Sequence, residues 1–432
     1  MRLLSGPVLL ALSFVARAQD TAGAGFQVTP LPYPGATPLA TSTSLPGGEV
    51  VVFDGTNVDL YDAQGQLVRH LSTLPGFVFP SFILADPSGS LAVFGESSTG
   101  AIQTLNLGAP SAPDFVVDLD FNYDAAFGAG FELFVSAATC GLNCGTEIWS
   151  VDLLSKATRL VARLGGASGP LALDAQGNLF YATSSALFPA PPGSTDVLRW
   201  SAAQIAGPAV LGRADAQFLG GGFDGGGQMA YDPEQGALFL AENNFGTGAA
   251  RIRRLLGSVA VSPVVLEGTP FMTLGNMEFL PGPDVARFLP HQPPSGGSLR
   301  YTSTDFFATV QRSEVTPRRP VLSLTGPGAS GPGPFQLQLD SGPPSGLARI
   351  AIGPTALLHS PEHALVLGGL PHFLALDLPT LALVPGVLPL DGTGTLDEDL
   401  VNPGGLNGFV SVQLVLLDSQ LHLAGTSTAA SF

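Results

Sequence analysis

Carboxylate and amide side chains alternate with apolar or aromatic ones along Asp118-Leu-Asp120-Phe-Asn122-Tyr-Asp124. Clustered oxygen ligands are what a hard cation such as calcium takes. An EF-hand type loop is excluded, because the sharp-turn glycine and the late glutamate are both missing. Strict alternation reads instead as a strand, with Leu119, Phe121 and Tyr123 on one face. Asp118 and Asp120 then lie on the other face and are the candidate cation ligands. A second acidic loop, Asp391-Gly-Thr-Gly-Thr-Leu-Asp397-Glu-Asp399, offers Asp391 and Asp397 to a structural calcium. The alternative there is a solvated turn.

Cys140 and Cys144 are the only cysteines, in the run TCGLNCG. In an oxidising compartment a disulfide closing this small loop is the expectation. A zinc site would need two further ligands, and redox motifs use a closer C-x-x-C spacing. His359, His363 and His372 form the densest histidine group. His359 and His363 would share a zinc only if a helix put them on one face, and Pro361 argues against that helix. Gly220 to Gly227 is glycine-rich but lacks the Lys-Ser/Thr of a phosphate-binding loop, so it reads as a connection. Arg251, Arg253 and Arg254 read as partners of nearby acids.

These side chains must be positioned by a chain whose address is written at its start. Met1-Arg2 carries positive charge, Leu3 to Val15 is mainly apolar, and Ala16-Arg17-Ala18 has small residues where a signal peptidase reads. Residues 1–18 are expected to be a secretory signal peptide cleaved after Ala18. The run is too short for a membrane anchor, and no later stretch is long and apolar enough to span. The expectation is a secreted protein, extracellular, at the cell surface or in the periplasm, and not an integral membrane protein. With 17 basic against 34 acidic residues the net charge is -17. That disfavours nucleic acid, whose binding rests on neutralising phosphates. Lys156 is the only lysine, a skew that a GC-rich bacterial genome writes.

Only 12% of residues are charged and 45% are hydrophobic, with 55 Gly and 38 Pro. Many turn residues together with many apolar ones describe an all-β protein of short strands. The phrase Leu171-Ala-Leu-Asp174-Ala-Gln-Gly177-Asn-Leu-Phe-Tyr-Ala182 is a hairpin with an aspartate-glycine turn. It recurs with drift. Counted from Pro46, Asp86, Asp124, Asp174, Asp232 and Asp284, the spacings are 40, 38, 50, 58 and 52 residues. Repeats of about 40 to 50 residues with several strands each are the signature of propeller blades. Past a linker near Arg312–Pro320 the phrase disappears, and short period-two strands suggest a small antiparallel β-sandwich. The expected order is signal peptide 1–18, lead-in 19–44, six-bladed β-propeller 45–315 and β-sandwich 320–432.

Ser168–Thr183 (SGPLALDAQGNLFYAT), Gln228–Asn244 (QMAYDPEQGALFLAENN) and Phe82–Phe94 (FILADPSGSLAVF) resemble the repeat phrase of NHL-repeat and SMP-30/gluconolactonase-like propellers. The likeness covers about residues 40 to 315, and the late Asn402-Pro-Gly-Gly-Leu406 phrase resembles C-terminal modules of secreted bacterial proteins. For a lactonase of that kind the resemblance implies a divalent metal held by Glu, Asn and Asp at the channel mouth. Glu49, Asn276 and Asp224 are candidates by position, but none sits in the full family motif. A lyase would need a channel histidine, and His70 and His291 both lie outside the blade phrases. The loops are mostly Gly, Pro and Ala, which leans the reading away from an enzyme. The expected function is an extracellular binding module for a protein or glycan partner. A metal-dependent lactonase or other hydrolase in the channel is the alternative, and carbohydrate binding or surface attachment by the sandwich is a third. Calcium is the only cofactor the composition of these loops suggests.

Overall fold

The structure is a computed structural model. It describes residues 20–431 apart from 23–25, 34–36, 139–144, 186–189, 234–235, 257–263, 281–296, 306–309, 318–320, 326–328, 330–332, 341–346, 355–362, 368–369, 375–381, 384–385, 392–394, 403–409, 418–422 and 428–429. Six antiparallel sheets of four or five strands follow one another along the chain. Their innermost strands are Thr41–Ser44, Pro80–Ala85, Asp124–Phe127, Leu171–Leu173, Gly225–Asp232 and Thr273–Leu280. Each inner strand packs beside the next, and the sixth packs beside the first. The ring is therefore a closed six-bladed β-propeller, as the repeats predict.

The turn chemistry is local and repeated. In blade four, Asp174 Oδ1 accepts from Gln176 N and Asn178 N at 3.0 and 2.8 Å, and Gly177 sits at φ 78°. In blade two, Asp86 accepts from Ser90 N and Leu91 N at 2.7 and 2.6 Å. Asp124 departs from this pattern. It opens the inner strand of blade three, and the first turn of that blade is built around Gly130 at φ 66°. Between blades, apolar faces interlock. Phe53 and Phe94 meet at 4.8 Å between blades one and two, and Trp200, Tyr181 and Ile148 are fully buried between blades three and four. Burying each such side chain contributes roughly 2–3 kcal/mol.

The stretch read as a lead-in carries strands. Phe26–Leu31 is the outermost strand of blade six, antiparallel to Val310–Pro317 with Val28 opposite Val315. Thr21–Ala22 adds a fifth strand to blade five by pairing with Leu266 and Glu267. Asp20 pins this end: its Oδ1 accepts from Thr269 N at 2.7 Å and its Oδ2 from the Tyr301 hydroxyl at 2.8 Å. The ring is thus closed by pairing the first described strands with the last two blades.

The C-terminal sheets form a sandwich. Val321–Thr325, Gly333–Asp340 and Leu396–Asn402 make one sheet; Leu347–Pro354, Val410–Leu417 and Leu423–Thr426 head the other. Leu322, Leu337 and Leu339 pack against Ala348, Leu414 and Leu416 in its core. Half of the acidic loop expected at 391–399 is strand, because Leu396 points inward and Asp397 outward in register with Gln338. His363 and His372 lie on an antiparallel hairpin, with no helix to align them.

Candidate binding face of the propeller

The structure scatters most of the residues singled out by type. Asp118 ends the outermost strand of blade two and Asp120 lies in the connection beyond it, both exposed and away from the axis. The run Asp118–Asp124 is not one strand. Phe121 takes φ 48°, the left-handed region, and turns the chain from the rim of blade two to the inside of blade three. Asp391 closes its own turn through Thr395, and Asp397 is exposed on a sandwich strand. Cys140, Cys144, His291 and His359 lie outside the described residues. Glu49 sits in the first turn of blade one, whereas Asn276 Nδ2 is committed to Ala40 O and Thr302 Oγ1 in blade six. Asp224 joins blades four and five, where its amide donates to Glu242 Oε1 at 3.1 Å. Among the described residues no three His, Cys, Asp or Glu gather as a metal cage. Nor is any described helix long and apolar enough to cross a membrane. Arg251 and Arg253 both pair with Glu242, at 3.7 and 2.6 Å.

Three hydrogen-bonded polar groups stand on the rim, near the axis and at a seam of the ring, and His70, weighed as a channel histidine, is on the rim. On the rim of blade one, His70 bridges Asp59 Oδ1 at 2.7 Å and Thr73 Oγ1 at 2.8 Å. Thr73 Oγ1 also lies 3.1 Å from Asn57 Oδ1. Near the axis, Asp124 is 1% exposed. It accepts from Ala125 N, Leu171 N and Gln228 Nε2 at 2.9, 2.7 and 2.7 Å. The Tyr123 hydroxyl donates to Gly227 O at 2.7 Å. Both last bonds reach inner-strand residues of blade five from the start of blade three, past blade four. Burial pushes the Asp124 carboxyl up to about 7, against three donors that favour its charged form. At the seam of blades six and one, Glu278 accepts from Ser44 N at 2.8 Å and pairs with buried Arg312 at 3.1 Å. Arg300 reaches Ser44 Oγ at 2.8 Å from the same blade.

Exposed apolar side chains stand at both ends of the ring, with Phe115, Phe131, Leu154 and Phe218 at the end of the first-to-second and third-to-fourth turns. Strands alternate in direction, so the second-to-third turns and the blade-to-blade connections share one end. That end displays Phe77 and Phe79 before blade two, Phe121 after it, and Phe245 and Phe271 around blade five, all exposed. Blades two and five are opposite one another in a ring of six. A recurrent glycine seats the connections: Gly55, Gly100 and Gly248, at φ 91°, 81° and 73°, accept at their carbonyls from Val78 N, Leu119 N and Phe271 N. The Phe77 ring lies over Gly55 and the Phe271 ring over Gly248, where a Cβ would come within 2.7 and 2.4 Å of ring carbons. In blade two, buried Asn122 donates to Glu96 O, Gly100 O and Leu119 O, which fixes the connection and turns Phe121 outward.

No known family model and no curated protein matches this sequence. Among solved structures, the chain is similar to a luciferin-regenerating enzyme at 13% identity and TM-score 0.45, over 68% of this chain and 95% of that one. It is similar to regucalcin, a calcium-binding protein of Agrobacterium tumefaciens, at 12% identity and TM-score 0.45, over 67% and 93%. The PQQ domain of a pyranose dehydrogenase from Coprinopsis cinerea gives 11% identity and TM-score 0.49, over 69% and 97%. At these values the likenesses carry no argument about activity, and the blade count rests on the strand topology.

Proposed function

We propose that this chain is a secreted, non-enzymatic binding protein whose contact surface is the end of the propeller that carries Phe121 and Phe271. One observation carries the reading. Phe121 and Phe271 are 50% and 78% exposed while their backbones sit at φ 48° and 65°. A non-glycine residue in the left-handed region costs about 1–2 kcal/mol, and an exposed ring forfeits its burial. Two such residues at equivalent blade-to-blade connections are what a surface shaped for contact would retain. The test is to label the mature protein and a variant with Phe77, Phe79, Phe121, Phe245 and Phe271 all replaced by Ser. Binding of each to the cells that secrete it is then compared, with circular dichroism confirming the β signal. Loss of binding in the folded variant is expected; unchanged binding rejects the face.

A hydrolase at the axis is the second reading, favoured by the Asp124 carboxyl near 7, the range suited to general acid–base work. Against it stands the near-complete burial of Asp124 beneath its bond to Gln228.

A further inference from the structure

We infer that the partner of the propeller end that carries Phe121 and Phe271 is an arginine-rich segment of another protein, docking first at the connection between blades two and three. This rests on the binding-face reading above and adds the chemistry of the occupant. Phe121 projects its ring from a connection that also carries Asp118 and Asp120, three and one residues before it. Both carboxylates are exposed, and neither has a hydrogen bond or ion pair to any described residue. The arginines near this end are already spent: Arg163 on Glu147, Arg251 and Arg253 on Glu242, and Arg312 on Glu278. The charge offered outward beside the aromatic rings is therefore negative.

A guanidinium meets both features at once. Its plane stacks on a ring face, and its N–H fork pairs with a carboxylate. A lysine ammonium is a hydrated point charge and matches only the second. Phe77 and Phe79, edge to face at 5.3 Å on the other side of the same blade-two turn, extend the aromatic surface. Ser97 N donates to Phe79 O and Asn122 donates to Gly100 O, so both aromatic groups hang on that one turn. The net charge of -17 turns away anionic lipid surfaces and nucleic acids. The exposed rings of this end are phenylalanines, with no hydroxyl or indole to bond a sugar.

The test is fluorescence anisotropy with the mature full-length protein and labelled nona-arginine, with nona-lysine, nona-glutamate and maltoheptaose as comparators. The expected result is saturable nona-arginine binding that exceeds nona-lysine and falls about tenfold in Asp118→Asn/Asp120→Asn, in keeping with the loss of two charge-assisted pairs. Phe121→Leu is expected to erase the arginine preference over lysine. Glu49→Gln, an acid removed at the opposite end, is expected to bind like wild type. Nona-arginine binding that is indifferent to the double variant, or equalled by nona-lysine, overturns the inference. So does binding of maltoheptaose in its place. The two readings fail separately. If the five-serine variant loses cell binding while Asp118→Asn/Asp120→Asn keeps it, the face stands and the arginine assignment falls. If the five-serine variant binds cells like wild type, the face falls and this assignment with it.

Discussion

Gln228 Nε2 donates to Asp124 Oδ1 at 2.7 Å, joining the inner strand of blade five to that of blade three past the blade between them. A side-chain amide and a buried carboxyl thus act as a strut near the axis. The strut has a pH dependence with a definite sign. Burial raises the folded carboxyl from 3.8 to about 7, so between those values the folded state holds a proton that the unfolded chain has released.

The stability contributed by this group is therefore complete below pH 4 and lost as the pH rises through about 7. For Asp124→Asn, which cannot ionise, the difference in unfolding free energy from wild type should shift in favour of the variant between pH 4.5 and 8. The shift is at most on the order of 4 kcal/mol. Urea unfolding of both proteins at the two values checks it, and a difference independent of pH would show that Asp124 titrates in its ordinary range.

Arg312 should hold the seam between blade six and blade one. Arg312→Met leaves Glu278 without its buried partner and should cost about 3 kcal/mol. The double change Arg312→Met/Glu278→Leu should recover part of this, because no uncompensated charge is left. Thermal melts of the three proteins decide it; equal losses in single and double variants would mean that the pair itself is not the lock.

Gly248→Ala should destabilise the protein by about 1–3 kcal/mol, since the new methyl meets the Phe271 ring at 2.4 Å in a left-handed backbone. Gly76→Ala has open space around it and should change stability by less than about 0.5 kcal/mol. A comparison of denaturant midpoints suffices, and equal midpoints would deny the glycine its seating role.

If the chain is exported as proposed, its processed form should begin at Gln19, one residue before Asp20 engages Thr269 and Tyr301. Sequencing of its N-terminus reads this directly. A variant lacking residues 20–31 should expose the edges of blades five and six and run on size exclusion as oligomers or aggregates. A monodisperse, cooperatively folding truncation would show that the ring closes without its outer strands.

The hairpin turns were legible because their chemistry is local: Asp174 and Gly177 stand three residues apart and bond each other's backbone. The closing strand was not, because Gln27 meets Thr316 across 289 residues and neither carries any sign of the other. A second period went unread. Gly55, Gly100, Gly145, Gly193 and Gly248 all take positive φ after the second strand of successive blades, at spacings of 45, 45, 48 and 55. These are tighter than the aspartate counts and would have located the aromatic connections. Alternation misled at Asp118–Asp124, since a period of two describes side chains only while the backbone stays extended, and Phe121 breaks it. The acidic stretch at 391–399 looked like loop by composition, whereas Leu396 alone, by being buried, commits its second half to the sheet.

The strand Phe26–Leu31 has a consequence in time. It is among the first described parts of the chain to leave a translating ribosome, yet its partner Val310–Pro317 follows nearly 290 residues later. At ordinary synthesis rates that is a wait on the order of tens of seconds. Throughout it, Phe26 and Val28 have no blade to cover them, and blade six, when it emerges, presents a bare edge until they return. An early-made strand is thus fastened last in the ring, and biogenesis is the interval in which two neighbouring chains can trade it.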